Sequence, residues 1–234
     1  MPAYGTRWRH RRERVALWLR ALAWYWIAIV VVSVFGLSLF AWVGSEVLGQ
    51  ETAGFDDAIR AWVLAHQVGA ISRAFRLITY AGSANTLASG AVVIAVWLWA
   101  GRRRHVAAVV VSAPAVATAL FVGIKDLLRR TRPPGAGTLY LASYSFPSGH
   151  ATASTAVLVT LAYVLAREGL LSHRIALLVG CLGPLLIGLS RIYLDVHWTT
   201  DVLGGWGLGL VVAALSATVY EHLRARIARA SVGI

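Results

Sequence analysis

Residues 101–134 read GRRRHVAAVVVSAPAVATALFVGIKDLLRRTRPP, and this stretch decides the fold. No Asp, Glu, Lys or Arg occurs between Arg104 and Lys125. That interval is the length a helix needs to cross a hydrocarbon core, roughly 20 residues. It is bracketed by arginines on one side and by Lys125, Asp126, Arg129, Arg130 and Arg132 on the other. Lys125 is the only lysine in the chain. Ionisable groups at membrane depth are costly, so they mark a functional site by default.

The rest of the chain repeats this pattern. Of its 234 residues 58% are hydrophobic and 14% charged, and the mean hydropathy is +0.67. A water-soluble domain of this size carries more charge. Six spanning helices are expected, at about 21–44, 77–100, 105–127, 149–166, 174–193 and 201–222. They form one all-α transmembrane bundle occupying the whole chain, 1–234, with residues 1–20 as a basic arm. The first segment is too long for a signal-peptide core and lacks a small-residue cleavage site, so it counts as a span. Trp24, Tyr25, Trp26, Trp42, Trp97, Trp99, Trp198 and Tyr220 lie near segment ends, as an interfacial belt requires. The one cysteine, Cys181, reads as a small buried hydrophobe. It excludes a disulfide framework within the chain, and no Cys/His metal spacing occurs.

The formal net charge of +12 invites a nucleic-acid reading. Its distribution points elsewhere, because most arginines flank apolar segments and so report topology. Arg7, Arg9, Arg11, Arg12, Arg14 and Arg20 precede the first span, and Arg102, Arg103 and Arg104 fill the second connection. Arg167 and Arg174 lie in the fourth connection, and Arg224, Arg226 and Arg229 in the tail. Six spans put all four groups, and both termini, in the cytoplasm. The opposite side receives a long first loop, about 45–76. There Phe55, Ile59, Trp62, Val63 and His66 share one helical face, with Asp56, Asp57 and Arg60 elsewhere. This reads as an amphipathic helix in the outer interface, or as one packed over the bundle.

Two further polar clusters interrupt the apolar chain: Pro147-Ser148-Gly149-His150 and Ser190 to Asp201. Ser148 and Gly149 open a helix, whose free N–H groups suit a phosphate oxygen. As a side chain, Ser148 also reads as a plain N-cap. His150 beside such an anion site is placed to protonate a departing alkoxide. His197 and Asp201 are four apart and share a helical face. A carboxylate on one imidazole nitrogen fixes the tautomer and leaves the other nitrogen free. Arg191, Arg132 and Lys125 add cations suited to phosphoryl oxygens. Arg129 and Arg130 read as rim or lipid-head contacts. All three clusters fall at helix ends on one expected face, away from the cytoplasm.

With these residues in view, the chain resembles the type 2 phosphatidic acid phosphatase family of integral membrane phosphatases, related to vanadium haloperoxidases. The family's signatures are Lys-x6-Arg-Pro, Pro-Ser-Gly-His and Ser-Arg-x5-His-x3-Asp. They appear here as Lys125 to Pro133, Pro147 to His150 and Ser190 to Asp201, with no departure in residue or spacing. The resemblance implies that His197 is a nucleophile forming a phosphohistidine and Asp201 its orienting carboxylate. It implies that His150 is the acid and then the base, and that Lys125, Arg132, Ser148, Gly149 and Arg191 hold phosphate. It implies no metal and no cofactor. The expected substrate is a membrane lipid phosphate or diphosphate, met in a bacterial inner membrane on its outer face. Undecaprenyl diphosphate comes first on family frequency, and phosphatidylglycerol phosphate, phosphatidate and lipid A phosphates are alternatives. A non-catalytic phospholipid binder or transporter, and a vanadate-dependent oxidase, are the competing classes. No nucleic-acid partner is expected, and the oligomeric state is open.

Overall fold

The structure, a computed structural model, describes residues 4–136 and 143–232, and for residues 4–22 and 231–232 the backbone alone. The side chains of the basic arm therefore lie outside the described residues. Among the described residues eight helices follow one another: α1 (Tyr4–Leu48), α2 (Ala53–Ala65), α3 (Gly69–Ala81), α4 (Ala84–Ala100), α5 (Arg104–Leu128), α6 (Gly149–Arg167), α7 (His173–Tyr193) and α8 (Thr199–Val232). No strand occurs among the described residues.

Five of these helices are long and apolar enough to cross a bilayer, and α3 with α4 supplies a sixth span bent by 49°. The expected straight helix at 77–100 is thus broken. Ser83 restarts the chain by accepting a hydrogen bond from the Thr86 N–H at 3.1 Å, a side-chain N-cap. A Cβ on Gly82 would lie 2.2 Å from Ile187 Cγ2, so the break lets the chain close onto α7. The last helix runs to Val232, well past the expected 222, and α1 continues back through the basic arm to Tyr4.

Small residues set how closely the helices approach. A Cβ on Gly207 would lie 2.8 Å from Phe40 N and 2.9 Å from Gly36 O, so α8 meets α1 backbone to backbone. Gly205 sits 2.9 Å by the same measure from Ser148 O, and Gly209 2.7 Å from Thr152 O. The glycine-rich start of α8 therefore packs inside the bundle, against α1 on one side and α6 on the other. Leu98, Val106, Val109, Val110, Val157, Val164 and Tyr220 fill the core around it.

Two expectations fail here. Tyr220 belongs to no surface belt: it is fully buried and donates to Glu168 Oε1 at 2.7 Å. Cys181 is exposed, on the outward side of α7. Trp24, Trp42, Trp97 and Trp99 are exposed, as belt residues are.

The bundle has two polar ends. At one, Arg167 grips Glu221 at 2.7 Å and 3.0 Å, and Arg103 donates to Glu168 Oε2 at 2.8 Å. Two of the arginines that signal topology are thus internally paired. At the other end the C-termini of α5 and α7 meet the N-termini of α6 and α8.

Candidate active site

That second end gathers all three polar clusters. α5 delivers Lys125 in its last turn and stops at Arg129, whose left-handed backbone (φ 47°) turns the chain. The turn sends Arg130 and Arg132 back over the bundle. α8 starts at Thr199, one residue after Trp198, which places His197 just ahead of its first turn.

His197 and Asp201 face each other across that turn, with Nδ1 3.2 Å from Oδ2. The same Oδ2 accepts from the Trp198 N–H at 2.9 Å and from the Ser145 hydroxyl. An N3 carboxylate reaching back to the N-cap amide is half of a capping box, so Asp201 both caps the start of α8 and faces the imidazole. On the ring's far side Arg132 Nη1 lies 3.0 Å from Nε2. A guanidinium only donates, so Nε2 is the acceptor there and Nδ1 carries the hydrogen toward Asp201. Arg132 Nη1 also donates to Val196 O at 2.7 Å. Burial pushes His197 below the ordinary imidazole range, to about 3, against the upward pull of its hydrogen bond to Asp201. The side chain is a neutral imidazole with its lone pair on Nε2.

The remaining expected residues converge on the same place. Lys125 is buried and donates to the carbonyls of Tyr144 and Ser145, the latter at 3.1 Å. Arg191, 1% exposed, donates to Thr79 Oγ1 of α3 at 2.7 Å. Lys125, Arg132 and Arg191 are close enough to interact electrostatically with His150, as is His197. Gly149 leaves room for the Phe121 ring, which a Cβ would meet at 3.1 Å.

Ser148 departs from its N-cap reading. Its backbone occupies the N-cap of α6, but its side chain makes no capping bond. The Oγ is buried and has no hydrogen-bond partner among the described residues. A buried hydroxyl left unmatched is uncommon and points to an absent acceptor or donor. Ser148 is fixed by its backbone, whose N–H donates to Asp201 O at 2.9 Å. That bond ties the second cluster directly to the third.

Sequence reasoning misplaced Arg130 and missed Asp56, Thr200 and Ser145. Arg130 is no rim contact. Its Nη1 donates to Asp201 Oδ1 at 2.7 Å and its Nη2 to Asp56 Oδ2 at 2.7 Å. Asp56 comes from α2, 74 residues away along the chain, and no local pattern announces such a partner. Among the described residues no three His, Cys, Asp or Glu side chains converge as metal ligands.

The arrangement offers a neutral, lone-pair-bearing nitrogen, a carboxylate behind it, three cations and the amides of a helix N-terminus. Such a site suits transfer of an anionic group to nitrogen.

A family model described as the PAP2 superfamily matches residues 107–225. The chain is 36% identical over 105 residues to phosphatidylglycerophosphatase B of Bacillus subtilis, a match covering 43% of this chain and 51% of that protein. It is 37% identical over 76 residues to undecaprenyl-diphosphatase of Sulfolobus acidocaldarius, covering 32% of this chain and 34% of that one. The matched part of the chain thus spans about half the length of the first of these relatives and about a third of the second. In three dimensions it is similar to the crystal structure of the first transmembrane PAP2 type phosphatidylglycerolphosphate phosphatase from Bacillus subtilis. The TM-score is 0.73 at 27% identity, over 80% of this chain and 96% of that one.

Proposed function

As this chain belongs to the PAP2 superfamily, we propose that it is an integral membrane phosphatase hydrolysing a lipid phosphate through a phosphohistidine, without a metal. The observation that carries the reading is a lone-pair-bearing Nε2 on His197, facing the Arg132 guanidinium at 3.0 Å, beside a buried Ser148 Oγ without a hydrogen-bond partner among the described residues.

In this reading Nε2 of His197 attacks phosphorus as the P–O bond to the lipid breaks. His150 passes a proton to the leaving oxygen, so a neutral alcohol or lipid phosphate departs. The phosphorylated ring keeps its Nδ1–H and is cationic, and Asp201 offsets that charge across 3.2 Å. Water then attacks phosphorus while His150 takes back a proton. The P–N bond breaks, and inorganic phosphate and the free imidazole are restored. Arg132, which donates to Nε2 in the resting site, turns its hydrogens to the phosphoryl oxygens. Lys125, Arg191, the Ser148 hydroxyl and the Gly149 N–H hold the rest. Phosphoryl transfer needs mainly position and charge stabilisation, and these residues supply both.

The proposed topology has both termini in the cytoplasm and the site on the outer face, supported by the arginines flanking the spans. A bacterial inner membrane fits that arrangement. The exposed Phe55 and Trp62 of α2 fit a helix lying in the outer interface. Among lipids we place phosphatidylglycerol phosphate first, on the relative matched over the greater length. Undecaprenyl diphosphate comes second.

Phosphate release by detergent-solubilised protein across a panel of lipid phosphates and diphosphates, with EDTA present, tests the function. Metal-independent release from at least one lipid is the expected result. Binding without release would leave the competing class, a lipid-phosphate carrier.

A further inference from the structure

We infer that α2, which lies outside the matched family region, is a clamp that holds His197 in its reactive position through Asp56 and Arg60. The inference rests on the phosphatase reading for its catalytic consequence, and on geometry alone for its structural one.

Asp56 is 2% exposed although it sits on a short helix at the bundle's edge. Its Oδ1 accepts from the Thr200 N–H at 3.0 Å, in the first turn of α8. Its Oδ2 accepts from the Thr200 hydroxyl at 2.6 Å and from Arg130 at 2.7 Å. Asp56 thus caps the helix that carries Asp201, from 144 residues away. A carboxylate at a helix N-terminus is favoured by both the free amides and the dipole.

Arg130 extends the clamp. One nitrogen meets Asp56 and the Thr52 hydroxyl, the latter at 2.9 Å. The other meets Thr200 and Asp201 Oδ1, each at 2.7 Å. Asp201 is therefore divided: one oxygen serves His197 and the other is fixed by Arg130. A carboxylate held at one oxygen cannot swing away from the ring it orients.

Arg60 holds the other flank, one turn further along α2. It donates to Asp195 through Nε at 2.7 Å and Nη2 at 2.9 Å, a bidentate pair. Asp195 lies two residues before His197 in left-handed backbone, φ 54°. That conformation is costly for a residue with a side chain. Gly135 makes the contact possible, because a Cβ there would lie 2.0 Å from Asp195 Oδ2. One helix therefore tethers both sides of the nucleophile.

The test uses the full chain in detergent, on whichever panel lipid it hydrolyses fastest. Asp56→Asn is expected to lower kcat roughly 10- to 100-fold with KM within about twofold, since small misplacements of a reacting group carry losses of that order. Asp56→Asn/Arg130→Ala is expected to be no slower than Arg130→Ala alone, because both act on one chain of contacts. Asp57→Asn, its exposed neighbour, is the control expected to match the parent. The readout that needs no turnover is the side-chain ¹⁵N spectrum of His197, assigned by its loss in His197→Gln. Asp56→Asn is expected to shift it. Parental kcat in Asp56→Asn, multiplying losses in the double variant, or an unmoved His197 signal would each overturn the clamp. If Asp56→Asn is not recovered folded, Asp56→Glu, which keeps the charge but displaces its oxygens, carries the same comparison. A parent protein that releases no phosphate would defeat the phosphatase reading, and the His197 spectrum would then decide the clamp by itself.

Discussion

Arg132 Nη1 and Val196 O are 2.7 Å apart while the same nitrogen lies 3.0 Å from Nε2 of the adjacent His197. The guanidinium is thereby anchored to the backbone beside the atom it faces. In the proposed reaction, a phosphoryl group arriving at Nε2 would meet a cation already in place.

The first prediction concerns that nitrogen. His197→Ala is expected to cut phosphate release on the order of 10³-fold or more, as removal of a nucleophile does. Steady-state assays with the preferred lipid check it. A near-parental rate on any phosphate ester would refute the assigned role.

His150→Ala is expected to lose roughly 10²–10⁴-fold on a lipid substrate, the range for removal of a general acid. With an aryl phosphate the loss is expected to shrink, because that leaving group departs without help. Equal losses on both substrates would remove His150 from proton transfer.

Ser148→Ala separates binding from folding. The hydroxyl has no hydrogen-bond partner among the described residues, so the melting temperature is expected to stay level or rise slightly. Inhibition by inorganic phosphate is expected to weaken about tenfold, the equivalent of one charge-assisted hydrogen bond, about 1.4 kcal/mol. A lower melting temperature with unchanged inhibition would give Ser148 a structural role instead.

Stability should depend on pH through His197. Its folded value, about 3, lies below the unfolded value of about 6.5. The unfolded chain therefore binds the extra proton. The contribution of His197 is whole above about pH 6.5 and is lost progressively as pH falls toward 3. Thermal melts in detergent are expected to decline over that window. His197→Phe is expected to flatten the decline, and an unchanged slope in that variant would place the effect elsewhere.

Much of this architecture is legible in the chain itself. The spans ending near 128, 167 and 193 are marked by charges at their boundaries, and the three signatures name the groups that meet. The bend near Gly82 does leave a mark, because Gly82, Ser83, Asn85 and Thr86 interrupt the apolar run there, but a single span read over 77–100 passes across it. The close approach of Gly82 to Ile187 of α7 belongs to the tertiary structure. Tyr220 sits where a belt residue belongs by position, yet its partner Glu168 lies 52 residues away and draws it inside.

The Gly-rich face of α8 offers a test of that packing. Gly207→Val is expected to prevent close approach to α1, since a Cβ there falls 2.9 Å from Gly36 O. Overpacking of this kind typically costs about 1–3 kcal/mol, and more where the obstacle is backbone. Loss of folded protein in detergent, read by size exclusion, is the expected outcome.

The chain alone determined what is local. Apolar runs of bilayer length fix the spans, and fixed spacings within a few helical turns bring His197 beside Asp201. Tertiary structure alone decided what joins distant segments. It made Arg130 a buried bridge instead of a rim cation, and it turned the polar side of α2 onto the first turn of α8. Contacts such as Asp56 to Thr200 leave no periodic trace, because a hydrogen bond depends on where two backbones arrive and not on the residues between them.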